Sequence, residues 1–145
     1  MNIKFYWCTS ADSEFTDAYH VRDEVFIKEQ GFSEDIEHDE IDLRAQHLIG
    51  YADGSPICTL RLFEEKPGVF HLGRIAVLKP LRGFGIGSMM LETAEAKAGS
   101  LGAEKLKLGS QYTCTSFYEK SGYNKKGDVF FEGGKAHIIM YKIIQ

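Results

Sequence analysis

Between a strand that closes near Val77 and a helix that opens near Gly85, the chain reads Arg82-Gly83-Phe84-Gly85-Ile86-Gly87-Ser88, three glycines in five residues. At a helix start each glycine costs roughly 1 kcal/mol relative to alanine, so something other than helix stability favours them. A backbone without Cβ lets a ligand come close, and successive N–H groups at a helix N-terminus form a positively polarised anion site. Arg82 adds a fixed cation suited to phosphate. The loop is that of a pyrophosphate binder, and spacing sorts the candidates. A dinucleotide fingerprint needs glycine where Ser88 stands and an acid closing the next strand, whereas Glu104 opens that strand. A Walker A loop needs Gly-Lys followed by Ser or Thr, which the chain lacks. A plain tight turn accounts for one glycine, not for three after an arginine.

The rest of the chain fits one domain over residues 1–145. With 43% hydrophobic residues and 17 Lys and Arg against 21 Asp and Glu, it is an ordinary globular composition of net charge −4. That balance argues against a nucleic-acid partner, which calls for a basic surplus. Cys8, Cys58 and Cys114 are odd in number and form no C-x-x-C pair, so reduced thiols and a cytoplasmic location are expected. No apolar run approaches the ~18 residues of a membrane span, and no membrane partner is expected.

Periodicity supplies the element order. Ile3 to Cys8 is an aromatic and β-branched run, and Thr9, Ser10 and Asp12 can cap a helix start. Phe15, Ala18, Tyr19, Arg22, Val25 and Phe26 recur at helical spacing, with Gly31 placed to end the helix. Arg22 is the charged member of that stripe; its stem can line the core while its head reaches solvent or a partner. From Ser33 to Asp42 six of ten residues are acidic and periodicity fades. His47 to Tyr51 and Ile57 to Phe63 form a hairpin across Asp53-Gly54, and Val69 to Val77 comes after the Lys66-Pro67-Gly68 turn. After Pro80 the period becomes 3.6, with Ile86, Met89, Met90, Ala94 and Leu101 on one face and Gly99 or Gly102 at the end. A strand at Lys105 to Leu108, a helix at Thr113 to Lys120 closed by Gly122, and a hairpin across Gly133-Gly134 complete the order β-α-β-β-β-α-β-α-β-β.

The segment Val77 to Gly87 resembles the acetyl-CoA loop of GNAT-type N-acetyltransferases, whose core is [RQ]-x-x-G-x-[GA]. Downstream, Gln111, Cys114, Phe117-Tyr118 and Gly122-Tyr123 match the family's later pattern, and the element order is also the family's. The resemblance implies an α+β fold: a three-layer α/β/α arrangement around a mostly antiparallel mixed sheet. It implies acetyl-CoA as acetyl donor and a small-molecule or peptide amine as acceptor. The strand carrying Ile75, Ala76 and Val77 would splay from Lys105–Leu108 to receive the pantetheine arm. Arg82 and the amides of Gly83, Phe84, Gly85, Ile86, Gly87 and Ser88 would hold the pyrophosphate, with Gln111 also at the cofactor. A backbone N–H near Ile75 or Val77 would polarise the thioester carbonyl.

The same resemblance implies two proton transfers. Tyr118, at the family's Tyr position, is the expected acid for the departing thiolate. His71 is the expected base, sharing strand parity with Gly73, Ile75 and Val77 unless a bulge intervenes. Glu29 and Asp42 are the alternatives, since they border the expected acceptor site. The acidic run either attracts a cationic amine or forms a solvated face. His38, Asp39, Asp42 and His47 carry ligand chemistry without a spacing that fixes a geometry, so no metal is expected. Cys114 lacks an adjacent base and is read as packing. The competing reading is a non-catalytic module that senses acyl-CoA. A homodimer through exposed strand edges is left open.

Overall fold

A computed structural model of the chain describes residues 1–144. Its strands are β1 (Ile3–Cys8), β2 (Gln46–Ala52), β3 (Ser55–Lys66), β4 (Val69–Val77), β5 (Lys105–Gln111), β6 (Asn124–Glu132) and β7 (Lys135–Ile143). They form one sheet in the order β1-β2-β3-β4-β5-β7-β6. Every neighbouring pair is antiparallel except β4 and β5, which run parallel. The predicted turns hold: Asp53 and Gly54 both take the left-handed conformation that a two-residue hairpin requires, as do Gly133 and Gly134.

The helices are α1 (Phe15–Arg22), α2 (Glu34–Glu37), α3 (Ile86–Ser100) and α4 (Thr115–Lys120). They cover both faces of the sheet. On one side Ala18 of α1 packs with Cys8 and Ile49, while Val21 and Val25 pack with Ala76. On the other, Met90, Leu91, Ala94 and Ala98 of α3 pack with Leu48, Leu60, Leu62, Leu72 and Leu106 in the larger core. The fold is thus the α+β, three-layer arrangement that the resemblance implied.

Several local details differ from the sequence reading. Met89 and Leu101 are exposed, and Leu91 and Ala98 take their places in the buried stripe of α3. The stripe runs along Ile86, Met90, Ala94 and Ala98, one four-residue ridge, and Leu101 lies past the helix end. Asp12 accepts a hydrogen bond from Thr9 N–H at 2.8 Å, so it tightens the preceding turn instead of capping α1. Helix α1 does not stop at Arg22; it widens into a π-helical stretch over Asp23–Glu29 before Gly31 ends it. The acidic segment is ordered as α2 and a 3-10 turn over Glu40–Leu43.

One irregularity reorganises β4. Thr59 pairs with Ala76 and Arg61 with Gly73, so β4 advances three residues while β3 advances two. The extra residue is Arg74, left-handed at φ 51°. A bulge of this kind reverses side-chain parity beyond it. His71 and Gly73 stay on one face, whereas Ile75 and Val77 pack with the larger core on the α3 side. The shared parity expected for His71, Ile75 and Val77 is therefore broken.

Candidate active site

The sheet opens where β4 and β5 part. Their pairing covers only Val69 with Lys105 through Leu72 with Leu108. Beyond it β4 remains paired to β3 and β5 to β7, but the two strands no longer meet. The splay thus begins after the Lys105–Leu108 stretch and involves Gly109–Gln111. The facing backbone edges border a cavity of about 620 Å³ lined by His71, Gly73 and Ile75 of β4, Leu108 and Gln111 of β5, and Tyr118 of α4.

The glycine loop lies at one end of the opening. Met89 N–H, donating to Gly85 C=O, is the first amide of α3 to find a helical acceptor. Among the described residues, the N–H groups from Gly83 through Ser88 have no protein acceptor. Gly83 and Gly85 are left-handed, and a Cβ on either would meet open space. Gly87 differs: a Cβ there would lie 2.8 Å from Phe117 Cζ, so this glycine admits a neighbouring ring and not a ligand. Ile86 is buried, whereas Phe84 and Ser88 are exposed.

Arg82 turns away from the loop amides. Its Nε donates to Val77 C=O at 2.9 Å, and both Nη atoms grip Glu29 at 2.6 and 2.7 Å. That bidentate hydrogen bond holds the Glu29 carboxyl below the usual carboxylate range. Glu29, expected at the acceptor border, is instead tied to Arg82 at the start of the glycine loop and is not among the cavity-lining residues. Next to it, Gln30 Oε1 accepts from Gln111 Nε2 at 2.8 Å. The π-helical end thus touches both banks of the opening.

Tyr118 is buried, with its ring edge-on to Phe117 and Tyr123. Burial, followed by the nearby Cys114 thiol, pushes its phenol above the ordinary range, so it is protonated at neutral pH. His71 lines the same cavity against Phe63, and burial pushes it down to about 4. It is neutral at pH 7 and a weak proton acceptor there. Asp42 is closed off: Tyr19 donates to it at 2.9 Å, Arg22 at 2.8 and 3.1 Å, and Arg61 at 2.9 Å. With both oxygens engaged, it anchors this wall and is not among the residues that line the cavity.

A family model for the acetyltransferase (GNAT) domain matches residues 12–144. The chain belongs to the GNAT acetyltransferases. It is 33% identical over 132 residues to the uncharacterized N-acetyltransferase YjcF of Bacillus subtilis, covering 90% of this chain and 94% of that one. A crystal structure from Lactobacillus plantarum, provisionally named an N-acetyltransferase, superposes with a TM-score of 0.92 at 30% identity over the whole of both chains. An acyl-CoA N-acyltransferase from Pseudomonas aeruginosa superposes with a TM-score of 0.86 at 25% identity, over 97% of this chain and 99% of that one.

Within this acetyltransferase, the wall of the cavity opposite α4 is a charge network that the sequence reading did not foresee. Arg22, 1% exposed, donates from Nε to Glu37 Oε2 at 2.9 Å and from Nη2 to Glu37 C=O at 2.8 Å, besides its bonds to Asp42. Arg61 grips Asp39 at 2.6 and 3.0 Å, and Arg74 reaches Glu37 at 3.0 Å and Asp39 at 3.1 Å. The acidic segment is thus divided: Glu34, Asp35 and Glu40 are exposed, whereas three arginines neutralise Glu37, Asp39 and Asp42. The signals were present: Arg22 within an apolar stripe and Arg61 inside an apolar strand. The residues weighed as metal ligands stay apart in role, with His47 Nε2 on the Asp42 carbonyl at 3.1 Å. Asp23, Glu37 and His38 do converge, with His38 Nε2 at hydrogen-bond distance, 2.8 Å, from Asp23 Oδ1.

Proposed function

We propose that the protein moves an acetyl group from acetyl-CoA to a primary amine by direct attack of the amine on the thioester. What carries this reading is the run of free N–H donors from Gly83 through Ser88, placed at the start of α3 beside the splayed strands. Such donors suit a diphosphate, with the positive end of α3 behind them. The unpaired edge of β4 from Ile75 to Val77 suits an amide-bearing arm, and one of its N–H groups would take the negative charge that develops on the thioester oxygen. Gln111 borders the same channel. Arg82 is paired with Glu29 in this structure, and it would add positive charge to the phosphate site only by exchanging that carboxylate for the diphosphate.

Tyr118 is proposed as general acid. It lines the cavity, stays protonated, and would give its proton to the departing thiolate. His71 offers neutral ring nitrogens to the cavity, but burial makes it a poor proton store near neutrality. The amine accordingly enters as the free base, and its remaining proton leaves through water at the open mouth. Tyr118→Phe tests the assignment: acetyl-CoA affinity is retained while kcat, read as thiol release, falls about a hundredfold or more. Unchanged kcat would remove Tyr118 from the mechanism. Tight acetyl-CoA binding without turnover on any amine would favour a non-catalytic acyl-CoA module.

A further inference from the structure

Three residues that line the cavity carry a buried polar atom without a hydrogen bond: Glu37 Oε1, which lies 3.3 Å from His38 Nε2, and two nitrogens with no such neighbour. Among the described residues, Arg61 Nε and His71 Nδ1 are both sealed from solvent and lack a hydrogen-bond partner. Arg61 is held rigidly, since its two Nη atoms are spent on Asp39 and Asp42 while Nε points elsewhere. A buried donor without an acceptor forfeits its hydration with nothing in return, so natural proteins rarely leave one without a use.

Gly73 lies between the two atoms. A Cβ at Gly73 would sit 3.6 Å from Arg61 Nε and 3.8 Å from His71 Nδ1, ordinary van der Waals separations. The backbone there is not left-handed, so alanine would fit in both conformation and space. Glycine inside a strand weakens it and often marks close approach by something else. Here the missing methyl leaves space beside two unpaired nitrogens, and Arg61, His71 and Gly73 all line the cavity.

Arg61 Nε can only donate, and neutral His71 donates in its Nδ1–H tautomer. An oxygen that accepts from both must offer two free lone pairs, which a carbonyl or carboxylate oxygen supplies without a proton to place in the buried gap. From this geometry we infer that the gap at Gly73 seats a carbonyl or carboxylate oxygen of the acceptor, hydrogen-bonded by Arg61 Nε–H and His71 Nδ1–H. This deepens, and rests on, the reading of the cavity as the acceptor site of an N-acetyltransferase. The acceptor class is then an amine that bears a C=O group, such as an amino acid or aminoacyl compound, and not a bare polyamine. Asp39 and Asp42, acids a polyamine would need, already belong to arginines, and Glu37 is held by Arg22 and Arg74 through Oε2 with His38 Nε2 3.3 Å from Oε1. Phe26, Phe32, Phe63 and Phe130 line the same space and suit an apolar body on that acceptor.

The experiment compares phenylalaninamide, phenylalanine and phenethylamine, which share ring and amine while the last lacks the C=O group. Coenzyme A is titrated first by calorimetry. Absence of coenzyme A binding sinks the transferase reading itself. With coenzyme A saturating, at least one oxygen-bearing probe is expected to bind about tenfold more tightly than phenethylamine, the effect of one good hydrogen bond to a charged donor. Whichever of the two gains more tells amide carbonyl from carboxylate. In Gly73→Ala the methyl fills the gap and the preference falls to near unity, with a circular-dichroism melt confirming the fold. Equal binding of all three probes, binding by none, or a preference that survives Gly73→Ala overturns the inference while leaving the transferase reading intact. So does a crystal of the complex showing water in the gap and the probe's oxygen elsewhere.

Discussion

Arg22→Met removes the centre of the buried charge network while nearly preserving volume. Four hydrogen bonds are lost, two to Glu37 and two to Asp42. The carboxylates are not stranded: Arg74 still reaches Glu37 Oε2 at 3.0 Å, Arg61 holds Asp42 Oδ1 at 2.9 Å, and Tyr19 holds Oδ2 at 2.9 Å. Breaking a buried pair typically costs 3–5 kcal/mol, and these residual partners put the expected loss near the lower end, about 3 kcal/mol. For a chain of this size that lowers Tm by roughly 10 °C at pH 7. The acid dependence provides a second reading. Burial alone would raise the Asp42 carboxyl, but bonds and charge from Arg22 and Arg61 prevail and hold it at about 2, against an ordinary 3.8. A carboxyl depressed in the folded state stabilises above its unfolded pKa, and this contribution, about 2 kcal/mol, fades as pH falls from about 4 to about 2. The wild-type advantage over Arg22→Met should therefore shrink across that window. Calorimetric melts at pH 7 and pH 3 test both points. A shift under about 3 °C at pH 7, or one of equal size at both pH values, would refute the claim that Arg22 holds this wall together.

The glycine loop yields a contrasting pair. Gly87→Ala drives a methyl against Phe117 and should destabilise the fold by about 1–3 kcal/mol, read by urea unfolding. Gly85→Trp, placed where no atom lies within 4 Å, should abolish acetyl-CoA binding by calorimetry. Undiminished affinity would empty the phosphate assignment of content. For pH dependence, His71 is already neutral throughout the range from 5 to 8. The pH profile of kcat/KM should then rise with deprotonation of the acceptor amine and show no step near 6.5; such a step would return His71 to the role of base.

Local chemistry made much of this molecule legible. The Asp53-Gly54 and Gly133-Gly134 turns, the limits of β4 and the loop ahead of α3 follow from backbone preferences that neighbouring residues cannot override. What escaped was set by tertiary partners. Nothing adjacent to Arg74 announces a bulge, because the bulge exists only against the register of β3. Glu37, Asp39 and Asp42 could not be told from the solvated acids of the same run because their neutralising cations, Arg22, Arg61 and Arg74, come from elements distant in the chain. Gly87 looked like its two companions in the loop, and only the position of Phe117 sets it apart.

The surplus residue at Arg74 gives a single strand two occupations. Upstream of it, side chains of β4 furnish the chamber in which an acceptor would be sorted. Downstream, those side chains turn to the opposite core, and bare main chain is left along the channel. Excising that one residue would leave the composition of both halves almost untouched yet bring Ile75 and Val77 to the face of His71 and Gly73. A length change here is therefore far graver than a substitution, and variation in acceptor choice is cheaper to reach by altering side chains before the kink than by moving it.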